Sequence, residues 1–172
     1  MDAAAEREFR EFVVARSVAL MRLAYLLTGG DQHAAEDLLQ IALTKTAARW
    51  AGVESPETYV RQVMYRQQVS SWRLKWMRRE TQVATLPDEA RHDETPALDL
   101  KMTVRGALAR ITPRQRAVLV LRYFEDLPEA EVARLLDCSV GTVRSTTHGS
   151  LARLRELAPE LGELTTIKEV LR

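Results

Sequence analysis

The side chains best suited to reading DNA bases stand together near the start of one predicted helix. Arginine can bridge the two acceptors of a guanine or bind a phosphate, and hydroxyl groups donate to either. Ser139 is expected to cap this helix, and the spacing of Val143, Leu151 and Leu154 places its apolar side on the opposite face. The candidate base-reading residues are Arg144, Ser145, Thr146 and His148.

A second short helix precedes this one in the sequence. Pro128 opens it, and Asp137, Cys138 and Ser139 form the turn between the two. A short helix, a tight turn and an amphipathic helix make a helix-turn-helix, whose second helix enters the major groove of DNA. The alternative interpretation is a helical hairpin that binds no DNA.

A basic and aromatic block occupies residues 56–79, with six basic side chains and one acidic one. Cations interleaved with aromatic rings suit single-stranded nucleic acid, because every base has a face that can stack. The alternative is that the rings belong to the core and the cations to a solvated helix face. The aromatic residues are Tyr59, Tyr65, Trp72 and Trp76, and the cations are Arg61, Arg66, Arg73, Lys75, Arg78 and Arg79.

Acidic residues crowd the start of the predicted second helix, at Asp31, Glu36 and Asp37. The helix dipole accounts for them, and the last two diverge by about 100° on a helix, which makes a poor catalytic pair. The sequence shows no nucleophile with a base, no phosphate-binding glycine loop and no zinc motif. We therefore predict a protein that is not an enzyme and has no cofactor or metal.

The composition points to an intracellular protein. The 172 residues include 25 Lys and Arg against 24 Asp and Glu, a formal net charge of +1, and 46% hydrophobic residues. The single cysteine, Cys138, excludes an internal disulfide. No apolar run reaches the roughly 18–20 residues that cross a bilayer, and the first residues lack the features of a secretory signal. We expect a soluble, cytoplasmic protein.

Nearly every other segment also has helical periodicity, which predicts an all-α fold of two small domains. We expect helices over 4–28, from Asp31 to about Trp50, over 56–79 and 99–110, from Pro113 to about Phe124, and two in the motif. The second helix is expected to bury Ala34, Leu38, Ile41, Ala42 and Ala48. Residues 80–98 are acidic and contain two prolines, which is typical of a flexible linker. The expected division is a domain over 1–79, the linker, a domain over 99–158 and a tail over 159–172.

Several segments together resemble the extracytoplasmic-function sigma factors of bacterial RNA polymerase, and among them the actinobacterial SigE-like subgroup. The resemblance covers about residues 8–157. The strings that carry it are AAEDLLQIAL, SPETYVRQVMYRQQVSSWRLKW, ITPRQRAVLVLRYFEDL, EVARLLDCSVGTVRS and LARLR.

The resemblance implies roles for particular residues. The segment that binds core polymerase would be Asp37, Leu38, Leu39 and Gln40. The −10 promoter element would be read and melted by Arg61, Tyr65, Arg66, Gln67, Ser70, Trp72, Arg73, Lys75 and Trp76. The −35 element would be read by Thr142, Arg144, Ser145, Thr146 and His148.

The resemblance also implies partners: core RNA polymerase, double-stranded and melted promoter DNA, and an anti-sigma factor. We therefore predict a sigma factor that directs promoter-specific initiation. One alternative is a helix-turn-helix repressor or activator that acts without core polymerase, and another is a helical adaptor with no DNA activity. The tail lies outside the resemblance. We expect it to pack on the second domain, and the alternative is a surface that binds an inhibitor.

Overall fold

The structure is a computed structural model that describes residues 2–79 and 106–159, and only the backbone of 71–79. All regular structure within these ranges is helical, which confirms the all-α prediction. The longer helices are α1 (Ala3–Thr28), α2 (Gln32–Ala47), α3 (Pro56–Arg79), α4 (Pro113–Leu119), α5 (Glu129–Leu135) and α6 (Val140–Leu157). Short helical turns occupy Trp50–Gly52 and Val120–Phe124. Residues 106–110 are also helical, and the earlier part of the helix expected over 99–110 lies outside the described residues.

The first two helices are joined by a glycine turn. Gly29 has φ +75°, and its N–H donates to the carbonyl of Leu26 at the end of α1. A Cβ at Gly29 would meet the guanidinium of Arg116 at 2.7 Å, so both the backbone and the space favour glycine here. Asp31 then caps α2 by accepting from the N–H of Ala34 at 3.0 Å.

The N-terminal half packs α1, α2 and α3 around one apolar core. Leu20, Leu23 and Leu27 of α1 are at most 1% exposed, and Val60 and Met64 of α3 are fully buried. The predicted buried side of α2 is partly wrong. Its buried residues are Ala35, Leu38, Leu39, Ala42 and Thr46, whereas Ile41 is 37% exposed.

The C-terminal half begins with the predicted capping box. The hydroxyl of Thr112 accepts from the N–H of Gln115, and the Gln115 side chain accepts from the N–H of Thr112. The helix was expected to continue to Phe124, but α4 ends at Leu119 and Val120–Phe124 forms a wider π-helical turn.

The last two helices form the predicted helix-turn-helix. Asp137 lies in the turn at φ 50°, and Ser139 caps α6 by accepting from the N–H of Thr142 at 3.0 Å. Val132 and Ala133 of α5 are buried together with Val143 of α6.

The two halves contact each other directly. Arg61 of α3 pairs with Glu125, and the guanidinium of Arg22 lies 5.6 Å from the ring centroid of Phe124. Buried Arg116 of α4 donates to the carbonyl of Leu27 at 3.1 Å. The acidic linker and the tail from residue 160 onward lie outside the described residues, so the predicted division into domains stays a prediction.

Candidate nucleic-acid interface

Helix α6 separates its side chains into a docking face and an outer face. Val143 and Leu154 are fully buried and Leu151 is 7% exposed. The predicted base-reading residues lie on the other side, where Arg144, Ser145 and His148 are exposed and Thr142 and Thr146 are half-buried. The first turns of a helix held by its apolar side therefore project polar groups to the surface.

Arg144 has one strong partner within the motif. Its Nε donates to Oε2 of Glu129 at 2.7 Å, although the side chain remains 70% exposed. The Ser145 hydroxyl instead donates to the carbonyl of Thr142 in its own helix.

Helix α3 divides its predicted DNA-binding residues between two sides. Arg66 and Ser70 are exposed and lie four residues apart, so they share one face. Gln67 is half-buried and accepts from Nζ of Lys45 at 3.0 Å. The side chains of Trp72, Arg73, Lys75 and Trp76 lie outside the described residues.

Arg61 and Tyr65 lie on the other side of α3. Arg61 pairs with Glu57 in its own helix and with Glu125 of the C-terminal half. Tyr65 is 2% exposed, and burial raises the pKa of its phenol while the charge of Arg61 opposes that rise. In this conformation neither residue belongs to the outer face that carries Arg66 and Ser70.

Beside the exposed face of α3 lies an open pocket of about 810 Å³ that the sequence reasoning did not identify. Trp50 and Tyr59 contribute rings to its lining, and Arg49 and Gln62 contribute polar groups. Trp50 is held by Phe9, with ring centroids 5.1 Å apart and nearly perpendicular planes. The sequence analysis expected α2 to continue to about Trp50. Because α2 ends at Ala47 instead, a short turn at Trp50–Gly52 forms part of the pocket, and the helical pattern did not predict it.

The predicted polymerase-binding segment of α2 is also divided by burial. Asp37 and Gln40 are exposed, whereas Leu38 and Leu39 are 4% and 6% exposed. Leu39 and Gln40 line a groove of about 510 Å³ between α1 and α2, into which Phe9 and Met21 also face. Its surface is apolar with polar side chains at the margin, which suits the docking of another protein's side chains.

The described residues contain neither a membrane-spanning helix nor a metal site. No helix in residues 2–79 and 106–159 is long and apolar enough to cross a membrane. The same ranges contain no group of three His, Cys, Asp or Glu side chains placed to hold a metal ion.

The fold and these surfaces define an all-helical DNA-binding protein with a helix-turn-helix in its C-terminal half. Residues 101–154 match the sigma-70 region 4 family. The chain is 39% identical over 152 residues to the RNA polymerase sigma-E factor of Streptomyces avermitilis, covering 87% of this chain and 84% of that protein. It is 28% identical over 160 residues to the extracytoplasmic-function sigma factor SigL of Mycobacterium tuberculosis, covering 85% and 86%.

The fold has a solved counterpart. The sigma factor RpoE of Bartonella quintana, in complex with the anti-sigma factor NepR, matches with a TM-score of 0.68 and 22% identity, covering 91% of this chain and 99% of that one. At this identity the likeness concerns the fold alone.

The chain belongs to the extracytoplasmic-function sigma factors, in the actinobacterial sigma-E group. The prediction of a sigma factor is confirmed, and the alternative of a repressor or activator acting without polymerase is not supported. The family consists of non-enzymatic initiation factors.

Proposed function

We propose that this chain binds core RNA polymerase in the cytoplasm, brings it to promoters and reads the −35 element with the outer face of α6. The observation that carries the proposal is the side-chain division of α6, with Val143 and Leu154 buried and Arg144, Ser145 and His148 exposed. A helix held in this way can enter the major groove without unfolding its core.

The −10 element is proposed to bind along the exposed face of α3. Arg66 and Ser70 supply a cation and a hydroxyl for the phosphates and bases of the melted strand. Tyr59, which lines the neighbouring pocket, lies seven residues before Arg66, which is about two helical turns, so the two side chains share one side of α3.

The pocket of Trp50 and Tyr59 is proposed to receive a base that has left the duplex. Its volume of about 810 Å³ falls in the range of ligand pockets, roughly 300–1,000 Å³. Stacking on an aromatic ring contributes about 1–3 kcal/mol per base, which offsets part of the cost of unpairing. Melting of the promoter would then be favoured by capture of the unpaired strand.

The groove between α1 and α2 is proposed as the core polymerase contact. An apolar side chain of the partner fits against Phe9, Met21 and Leu39. Exposed Asp37, together with Glu36 at the groove, would attract basic residues at the edge of the contact.

Binding both promoter elements requires the two halves to separate. Two elements about 20 base pairs apart lie roughly 70 Å apart along B-form DNA, at about 3.4 Å per pair. Here Arg61 contacts Glu125, and four residues further Glu129 contacts Arg144. These four residues span at most about 15 Å, and each ion pair adds only the length of two side chains, so the reading helices lie closer together than the elements do.

An anti-sigma factor is proposed as a further partner. The structural counterpart from Bartonella quintana was solved with one. A partner of that kind would hold the chain away from polymerase or DNA until it is released.

Substitutions on the two reading faces test the proposal. With core polymerase present, Arg144→Ala is expected to weaken promoter binding by about 1–3 kcal/mol, because a bidentate contact is lost. Arg66→Ala is expected to reduce the melted bubble seen by permanganate footprinting more than it reduces closed-complex binding. Arg10→Ala, an exposed arginine of α1 paired with Glu6, is the control for the change in net charge. Equal behaviour of all three variants would contradict the proposed faces.

A further inference from the structure

Glu129 connects the first helix of the helix-turn-helix to the reading helix. It is the first residue of α5, and its Oε2 accepts a hydrogen bond from Nε of Arg144 at 2.7 Å. The two residues are 15 positions apart in sequence, so the turn brings them together. The Glu129 side chain is 30% exposed and that of Arg144 is 70% exposed. The pair therefore lies where α6 begins to project from the protein.

Stability does not account for this pair. An ion pair between groups with this much exposure contributes little to folding, because water screens the attraction and the long side chains lose freedom. A carboxylate at the start of α5 also interacts favourably with the helix dipole, but that interaction does not require Arg144. The specific consequence of the contact is the orientation of the guanidinium.

The atom that Arg144 uses for this contact decides what remains for DNA. A guanidinium is planar, and its five N–H donors point in fixed directions. Glu129 engages the Nε–H, which belongs to the side edge of the plane. The end edge, formed by Nη1 and Nη2, is not used in this bond. Two parallel N–H donors on that edge match O6 and N7 of a guanine.

The charge of Glu129 acts in the same direction. A free arginine on a DNA-binding surface is drawn to phosphates, which are present at every sequence. A carboxylate at 2.7 Å offsets the positive charge of Arg144 and repels a phosphate that approaches the pair. The Nη donors of Arg144 remain available to a base edge, while its attraction to phosphates, which does not depend on sequence, is reduced.

We propose that Glu129 is a positioning residue that determines specificity at the −35 element, by directing Arg144 to a base edge rather than to phosphate. This inference rests on the proposed role of α6 in reading DNA. The first helix of the motif would then contribute to specificity through Arg144, without contacting bases itself.

The test measures base preference and salt dependence with core polymerase and fluorescent promoter DNA. Each −35 base pair is substituted in turn, and unrelated duplex DNA serves as the non-specific competitor. Glu129→Ala is expected to lower the ratio of specific to non-specific affinity about tenfold and to relax the same base pair as Arg144→Ala. It should also steepen the plot of log affinity against log salt by about one unit, since Arg144 gains a phosphate.

Two further variants separate orientation from charge and from folding. Glu129→Gln keeps an oxygen that accepts from Nε but removes the charge, so base preference should be closer to the wild type than in Glu129→Ala. Glu131→Ala removes a neighbouring carboxylate of α5 that pairs with Arg134, and it should change neither base preference nor salt slope. Urea unfolding of each variant excludes loss of structure.

The outcomes distinguish this inference from the proposed function. If Arg144→Ala leaves base preference unchanged, then the proposed reading role of Arg144 is wrong. If Arg144→Ala relaxes one base pair while Glu129→Ala changes neither that pair nor the salt slope, then only the positioning role is wrong. In the double variant, base preference should be no weaker than in Arg144→Ala alone, and additive losses would contradict the inference.

Discussion

Arg116 shows at the scale of a single residue how a charge can be buried at the contact between the halves. Its guanidinium donates to four carbonyls, those of Leu27, Leu108, Ala109 and Ile111. Burial lowers the pKa of Arg116 to about 10, so the group stays charged near neutral pH. The carbonyl of Leu27 lies in the last turn of α1, where the helix dipole favours a cation.

Tyr65 is also buried, but its polar group lacks the hydrogen bonds that Arg116 makes. Among the described residues its hydroxyl has no hydrogen-bond partner. Tyr65→Phe is therefore expected to leave the free energy of unfolding unchanged or to raise it by about 1 kcal/mol, because an unpaired buried hydroxyl is removed. Urea unfolding measures this.

The same variant tests the role that the family resemblance implied for Tyr65. Promoter melting by Tyr65→Phe should match the wild type if only the ring matters or if the residue stays buried. A loss of the permanganate-reactive bubble, with stability unchanged, would show that the hydroxyl contacts DNA after the halves separate.

Contacts between residues close together in the sequence could be predicted from it. The caps at Asp31, Thr112 and Ser139 depend on hydrogen bonds that span three residues, and the structure contains each of them. The pairing of Arg61 with Glu125 joins residues 64 positions apart. No local pattern predicts such a contact, and Arg61 was instead assigned to DNA.

At the scale of an element, α6 contains a glycine that the fold does not require. Gly149 is exposed, and a Cβ built on it would meet nothing within 4 Å. Gly149→Ala is expected to raise the free energy of unfolding by about 0.5–1 kcal/mol, because alanine restricts the unfolded chain and favours the helix. Thermal unfolding measures this.

The DNA affinity of Gly149→Ala then says whether the glycine serves binding. A more stable variant with weaker promoter binding would indicate that the DNA backbone approaches α6 at this position. A variant less stable than the wild type would contradict the open space around Gly149.

The errors in element prediction have physical causes. Both Ile41 and Leu39 fit an apolar side of α2. The packing of α1 and α3 decides which side is buried, and it leaves Ile41 37% exposed. The wider turn at Val120–Phe124 contains no glycine or proline, so its sequence gives no sign of the change in helix type. Periodicity correctly predicted which segments are helical, but it predicted less well which face of α2 is buried.

At the scale of the whole molecule, the contact between the halves is the feature that sequence reasoning did not foresee. Glu125→Gln removes the charge that pairs with Arg61 while Glu57 remains. We expect the free energy of unfolding to fall by about 1–3 kcal/mol, since the Glu125 side chain is only 9% exposed. Small-angle scattering should show a larger radius of gyration.

Glu156→Gln is the matched control for this variant. Glu156 pairs with Arg153 within α6, and their side chains are 64% and 52% exposed, so loss of the pair should change stability by less than about 0.5 kcal/mol. If the two variants have the same stability and the same dimensions, the ion pair between the halves does not hold the closed arrangement.

The sequence was sufficient to identify the class of protein, but not the tertiary packing that forms its pocket and buries Tyr65. The helix-turn-helix and the basic helix were recognisable because each depends on patterns within a continuous stretch of about 30 residues or fewer. The pocket at Trp50 depends on where α2 stops, and the burial of Tyr65 depends on packing, so neither was predicted.

The most direct test of the central claim is run-off transcription with actinobacterial core RNA polymerase on sheared genomic DNA, with and without this protein. The proposed function predicts new discrete transcripts only when the protein is added. Their 5′ ends should lie downstream of two shared sequence elements about 20 base pairs apart. If no new transcripts form, and the protein does not bind core polymerase in a pull-down, the proposed function is contradicted.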